Sequence, residues 1–330
     1  MKARSIESHQ RMASDKLMTS TAKPDTAMAA AYGLAACAVL MWGITPAITA
    51  IQVSEIPALQ AGMMRSVFAV PPALLCIYFM RLAAPKDTRT WGWLMLAGFA
   101  AFCGFPILFT LGIARTSTAH AALILACMPV VSGGLGAILD RRMPRAGWFM
   151  GAVVALVGEA ILISSRDSSG EATLTGDLLC IMAAIISGTG YVAGSRATAK
   201  IGTWSTTFWG VAVVGLVQVP VLIWITDINA WTSITYVGWS STLYMVMFST
   251  VLAYAAWYWA LNHGSVVRIA PVQFAQPVVS LIFAVILLSE VITMPILIST
   301  VMILSGIVLA SRAQRIAVQA PQLKESEDTK

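Results

Sequence analysis

The sequence predicts an all-α integral membrane protein of ten transmembrane helices, arranged as two inverted five-helix repeats. Three observations carry this reading. The chain is 58% apolar and only 11% charged, whereas soluble domains carry about 25% charged residues. Its apolar residues fall into ten runs, each close to the roughly 20 residues a helix needs to cross the hydrocarbon core. The string Pro-Val-Val-Ser occurs twice, at 129–132 and 277–280, within the fourth run of each half.

The elements follow in order. Residues 1–28 hold five Lys/Arg and three acids with no apolar core, so a polar cytoplasmic tail is expected rather than a cleaved signal peptide. The first repeat, 29–164, has spans at 29–50, 57–80, 91–113, 117–139 and 147–164, separated by the short connections that hold most of the charge. The second repeat, 176–312, has spans at 177–195, 203–225, 238–261, 266–289 and 293–311. The polar segment 313–330 ends Lys-Glu-Ser-Glu-Asp-Thr-Lys and reads as a second cytoplasmic tail, most simply disordered.

Charge orients the spans. With both termini cytoplasmic, the inner segments hold 17 of the 21 Lys/Arg and the outer segments only Arg115 and Arg166. Arg65 and Arg268 fall within spans. The asymmetry is the positive-inside pattern, and it accounts for the +6 net charge without a nucleic-acid partner. Five spans per half make the second half enter the membrane from the opposite side. A shift of 148 positions superposes 116–164 on 264–312 with 11 identities in 49, among them Ser117 on Ser265, Pro129 on Pro277 and Gly158 on Gly306. Matched, proline-interrupted spans in two inverted halves point to a transporter built from repeats, with its site near the midplane.

Several strings sharpen this. Span one contains Leu40-Met41-Trp42-Gly43-Ile44-Thr45-Pro46, and span two carries Arg65. Thr250 to Leu261 leads into span nine, which runs from Gln276-Pro277-Val278-Val279-Ser280 to Leu287-Leu288-Ser289-Glu290, and Gly306 lies in span ten. Together these resemble the EamA domain of the drug/metabolite transporter superfamily, twice over. The resemblance implies a permease of the bacterial inner membrane, usually an exporter of amino acids or other small metabolites, working without ATP hydrolysis. Two positions depart from the family pattern. The first-half equivalent of Glu290 is Arg142, with Asp140 two residues earlier, and Glu159 stands where the family usually keeps an apolar residue.

Ionisable residues within spans are costly and are functional candidates by default. Arg65 would pair with a carboxylate, contact backbone carbonyls or meet an anionic group of a substrate. Glu159, costly to keep charged away from water, is a candidate for proton coupling, against a water-exposed or Arg-paired carboxylate. His120 and Arg268 occupy equivalent repeat positions and would line opposite mouths of the pathway or sit at the headgroups. Gln273 and Gln276 near Pro277, with Ser280 one turn on, would bond a substrate or the carbonyls the proline frees. In span eight Tyr244, Phe248 and Tyr254 are deep enough to face a cavity. Trp42 faces the centre by the family match. Trp257 to Trp259, Trp91, Trp93, Trp148, Trp231 and Trp239 are expected in the interfacial belts. The glycines of spans four and six are packing residues first.

The leading expectation is therefore a secondary transporter of small metabolites, foremost amino acids, with no cofactor. Its partners would be a small-molecule substrate and the lipid bilayer, as a monomer or homodimer. Efflux of lipophilic cationic drugs by proton antiport is the alternative, weakened by a first span without charge. An intramembrane enzyme is remote, since no H-E-x-x-H or G-x-S-x-G string occurs. The five cysteines (Cys37, Cys76, Cys103, Cys127, Cys180) are scattered through apolar runs and form no disulfide framework or metal-ligand spacing.

Overall fold

Prolines and capping side chains decide where the helices of this chain run and where they break. The computed structural model describes residues 24–139, 146–164, 172–226, 228–264 and 269–327. Among these residues the structure is all helical, with no strand. Six helices are long and apolar enough to cross a membrane: Met28–Glu55, Ala58–Phe79, Thr88–Ile113, Ala146–Ser164, Leu174–Ile201 and Thr203–Ile225.

Helix α1 (Pro24–Glu55) accommodates Pro46 without breaking. The next stretch divides into α2 (Ala58–Val67) and α3 (Val70–Phe79). Pro71 and Pro72 cannot donate to the turn before them, so the helix loosens there. Asp87 caps α4 (Thr88–Phe99), accepting from the Thr90 amide and hydroxyl, both at 2.8 Å. Those hydrogen bonds, the backbone one foremost, hold its carboxyl below the ordinary carboxylate range. A π-helical turn, Ala100–Gly104, joins α4 to α5 (Phe105–Ile113). Pro106 leaves the Phe102 carbonyl without its helical donor, and the Ser66 hydroxyl and the Gln218 amide, at 3.0 Å, take its place.

The expected fourth span is two helices, α6 (Thr118–Ala126) and α7 (Met128–Leu139). They meet at Cys127, where the bonds tighten to Cys127 N–H on Ile124 O at 3.2 Å and Val130 N–H on Cys127 O at 2.9 Å. Helix α8 is Ala146–Ser164. Helix α9 (Leu174–Ile201) starts at a Thr173 cap and passes through one residue, Gly202, into α10 (Thr203–Ile225). Gly202 has φ +78° and ψ 163°, a region essentially reserved for glycine. The short α11 (Ile228–Ser233) precedes α12 (Tyr236–Tyr244), a π-helical stretch Met245–Leu252 and α13 (Ala253–Gly264). A 3₁₀ segment, Ala270–Ala275, enters α14 (Gln276–Leu288), and Ser289 closes it in the left-handed conformation at φ 57°.

Helix α15 (Met294–Glu327) corrects one expectation, since it continues past Arg312 through most of the expected tail. The added residues are largely Ala, Gln, Arg, Leu, Lys and Glu, which favour helix in any solvent. Trp257 and Trp148 are 8% and 9% exposed, packed among neighbouring helices.

Helix α1 runs through the middle, against α13, α14 and α12, while α9 gathers α4 to α7. The most extensive pairing is α8 with α15. A Cβ at Gly306 would lie on the backbone of Gly151 and Ala155, and one at Gly151 on Gly306 and Ala310. The outer faces carry exposed Tyr78, Phe79, Val217, Ile223, Ile286 and Val301, a surface suited to an apolar solvent. Gly306→Val forces these backbones apart and should cost about 1–3 kcal/mol or more, read as a fall in Tm in detergent. Gly33→Ala, with nothing within 4 Å of its added carbon, should leave Tm unchanged or raise it.

Candidate functional site

Arg65 organises one half of the candidate site. Its residue is 9% exposed, on the last turn of α2. Nε donates to Thr250 Oγ1 at 3.1 Å and Nη2 to Ser249 Oγ at 3.2 Å. No carboxylate among the described residues lies within ion-pair distance of it. The phenols of Tyr254, Tyr191 and Tyr244 lie within its electrostatic reach. A guanidinium has five N–H donors, so hydroxyls orient this one without neutralising its charge.

The hydroxyls are held in turn. Thr45 Oγ1 donates to Ser249 Oγ at 3.0 Å and Thr250 Oγ1 to Met245 O at 2.8 Å, one residue beyond the α-helical spacing. That wider π-helical turn frees the Ser249 carbonyl, which accepts from Trp42 Nε1 at 3.0 Å. Tyr244 donates to Met41 O at 2.8 Å. The Trp42 ring meets Tyr254 and Trp257 edge-on at 5.2 and 5.6 Å. Trp42, Arg65, Tyr244 and Tyr254 thus share one network across α1, α2, α12, the π-helical stretch and α13. Phe248 stacks on Tyr244 at 5.4 Å but is 44% exposed and lies outside the cavity lining.

The other half is a cavity of about 460 Å³. Its polar groups are Tyr191, Gln273, Gln276 and Ser280, beside Pro46 and Pro277, and its walls are apolar: Leu125, Met128, Phe274, Leu304 and Ile307. Ser280 Oγ turns back to Gln276 O at 3.0 Å. The amides of Gln273 and Gln276 make no hydrogen bond with the described residues and remain available to a ligand. Pro46, in the cavity lining, follows Thr45 of the Arg65 network along α1. Among the described residues, none that lines the cavity is charged.

A second polar group gathers at the start of α6. Asp177 is fully buried, accepts from Thr116 Oγ1 at 2.6 Å and lies 3.4 Å from His120 Nδ1. The left-handed turn at Ser289 directs Glu290 onto the start of α6, where its carboxylate accepts from the amides of Thr118 at 2.6 Å and Ala119 at 3.0 Å. A negative group suits the positive end of that helix. Glu159 is apart from the cavity lining, 8% exposed, with Oε2 accepting from the Cys127 thiol at 3.4 Å. Pro129 lies on the backbone of α7, two residues past the break. Arg268, Asp140 and Arg142 lie outside the described residues.

Sequence reasoning missed Ser249, Tyr191, Asp177 and Cys127 as members of these groups. The one signal for Asp177 is an acid at the very start of an apolar run; the others are ordinary in an apolar helix.

A family model described as the EamA-like transporter family matches residues 29–164 and again 174–312. A Bacillus subtilis (strain 168) protein named as the uncharacterized transporter YdeK is 24% identical over 253 residues, 75% of this chain and 85% of its own length. A Salmonella typhimurium protein named as a probable amino-acid metabolite efflux pump is 24% identical over 290 residues, 83% of this chain and 92% of its own length. One solved crystal structure aligns with a TM-score of 0.60 at 17% identity, over 87% of this chain and 99% of that one, a likeness of fold.

Ser249→Ala removes the acceptor shared by Arg65 and Thr45 and should destabilise the protein by about 1.5–3 kcal/mol, as for a hydrogen bond to a charged group. Chemical unfolding in micelles measures this. Ser54→Ala, at an exposed hydroxyl, should change stability by less than about 0.5 kcal/mol.

Proposed function

The chain belongs to the EamA-like transporter family, and we propose that it is a secondary transporter of the bacterial inner membrane that exports small metabolites, amino acids foremost. In this reading ten spans form two inverted repeats, 29–164 and 176–312, with both termini in the cytoplasm. The 17-to-2 division of Lys/Arg supports that orientation. The transporter moves its substrate by alternating access around a midplane site at the paired prolines, Pro129 and Pro277.

The observation that carries the substrate class is an apolar cavity with two uncommitted amides in a protein that also buries a guanidinium, Arg65. A free amino acid needs a cationic group for its carboxylate, hydrogen-bonding groups for its ammonium and an apolar wall for its side chain. Arg65, held by two hydroxyls with no described carboxylate against it, suits the first. Gln273 and Gln276 suit the second, and Phe274, Met128 and Leu304 the third. Two relatives named as probable amino-acid metabolite efflux pumps point the same way. A lipophilic cation finds no carboxylate among the described residues of the cavity lining.

In this reading the Asp177–His120 and Glu290 contacts serve as the outer gate. Outward passage requires Glu290 to leave the amides of Thr118 and Ala119.

The test is counterflow in liposomes preloaded with a mixed amino-acid pool, using labelled aromatic, branched-chain and hydroxyl amino acids. Saturable counterflow is expected, and Arg65→Ala should raise KM about ten- to a hundredfold, the equivalent of one hydrogen bond to a charged group. No counterflow of any class by the folded wild type refutes the amino-acid reading.

A further inference from the structure

Neither the cavity nor the Arg65 network uses the buried carboxylate of Glu159. Glu159 is 8% exposed, and its Oε1 has no hydrogen-bond partner among the described residues. Its Oε2 has one partner, the Cys127 thiol at 3.4 Å, a weak donor. Cys127 is the residue at which α6 gives way to α7. Its neighbours Leu125, Ala126 and Met128 line the cavity. One break in one helix therefore has the transport cavity on one side and Glu159 on the other.

Among the described residues, the charged groups around Glu159 offer it no ion-pair partner. Helix α9 contributes Asp177, joined to His120 at 3.4 Å, and Cys180, both in electrostatic reach of Glu159. Helix α15 packs Met302 and Ile303 over Gly158 and has no titratable residue between Met294 and Ala310. The segment 165–171, with Arg166, Asp167 and Glu171, lies outside the described residues. A second acid nearby and a single thiol donor leave the unpartnered oxygen as a place for a proton.

We propose that Glu159 is a proton-binding site linked to substrate through the break at Cys127. The proposal rests on the transporter reading above. In the conformation described, the carboxyl holds a proton against the Cys127 thiol. Substrate in the cavity presses on Leu125, Ala126 and Met128, moves the break and admits water to Glu159, which gives up its proton to that water. Return of the break requires a proton to be taken up again, so occupancy of the cavity and protonation of Glu159 oppose one another. Linkage makes the effect reciprocal: protonation weakens substrate binding by the factor by which substrate favours deprotonation.

Two measurements decide this. In proteoliposomes, the ratio of accumulation driven by a pH gradient to counterflow by the same protein should fall about tenfold in Glu159→Gln, within the usual range for linked sites. An unchanged ratio overturns the coupling while leaving the amino-acid reading intact. The second measurement needs no substrate and stands even if counterflow fails. Infrared difference spectra of the wild-type protein against Glu159→Gln should show the stretch of a protonated carboxylic acid at neutral pH. Cys127→Ala, which keeps the carboxyl and removes its donor, should shift that band, so the assignment survives should Glu159→Gln not fold. No such band, or a carboxyl band indifferent to Cys127→Ala, overturns the proposal.

Discussion

In lipid, no water is on hand for a backbone group that its helix leaves unpaired, and each such group must be satisfied within the protein. The architecture of this chain depends on that constraint. Pro106 frees the Phe102 carbonyl, and Ser66 and Gln218 arrive from two other helices to bond it. The π-helical turn at Met245–Leu252 frees the Ser249 carbonyl, and the Trp42 indole takes it. The end of α14 and the start of α6 satisfy one another through Glu290. Helix irregularities act here as fastenings: each opens a backbone group that a side chain from a distant segment is needed to close.

This places the irregular turns and the polar side chains together. Arg65 sits next to Ser66 on α2, so the helix that bonds one π-helical turn also delivers the guanidinium to the hydroxyls of the other. The cavity then forms where α1, α6, α7 and α14 cannot close on one another, between Pro46 and Pro277. The cost of breaking helices in a membrane is offset by the bonds around the cavity rather than within it, which leaves the amides of Gln273 and Gln276 uncommitted.

Much of this is legible in the sequence, and unevenly. The helices can be located because lipid solvates every span alike, so hydropathy marks them. Their ends are harder, since caps such as Thr173 and Asp87 set them, and spans expected at 29–50 and 177–195 become Pro24–Glu55 and Leu174–Ile201. Arg65 and Glu159 stand out because a charge in an apolar run is rare, and Gln273, Gln276 and Ser280 because they surround a proline. Partnerships are not visible in this way. Ser249 and Thr45 are 204 residues apart, and Tyr191 reaches the lining of a cavity whose two glutamines lie on a distant segment. Nor does hydropathy register that α15 persists beyond Arg312, because many of those residues are polar helix formers rather than apolar ones.

The seam between α8 and α15 divides the chain by what it can tolerate over time. At Gly151 and Gly306 one backbone rests on the other with no room for a side chain, so mutation there is closed in both partners at once. The cavity wall is built from the tips of Leu125, Phe274, Leu304 and Ile307, where one apolar group can replace another at small cost. A lineage carrying this fold can therefore drift in what it recognises while its axle stays fixed, and divergent cargo around an invariant seam is what its descendants should display.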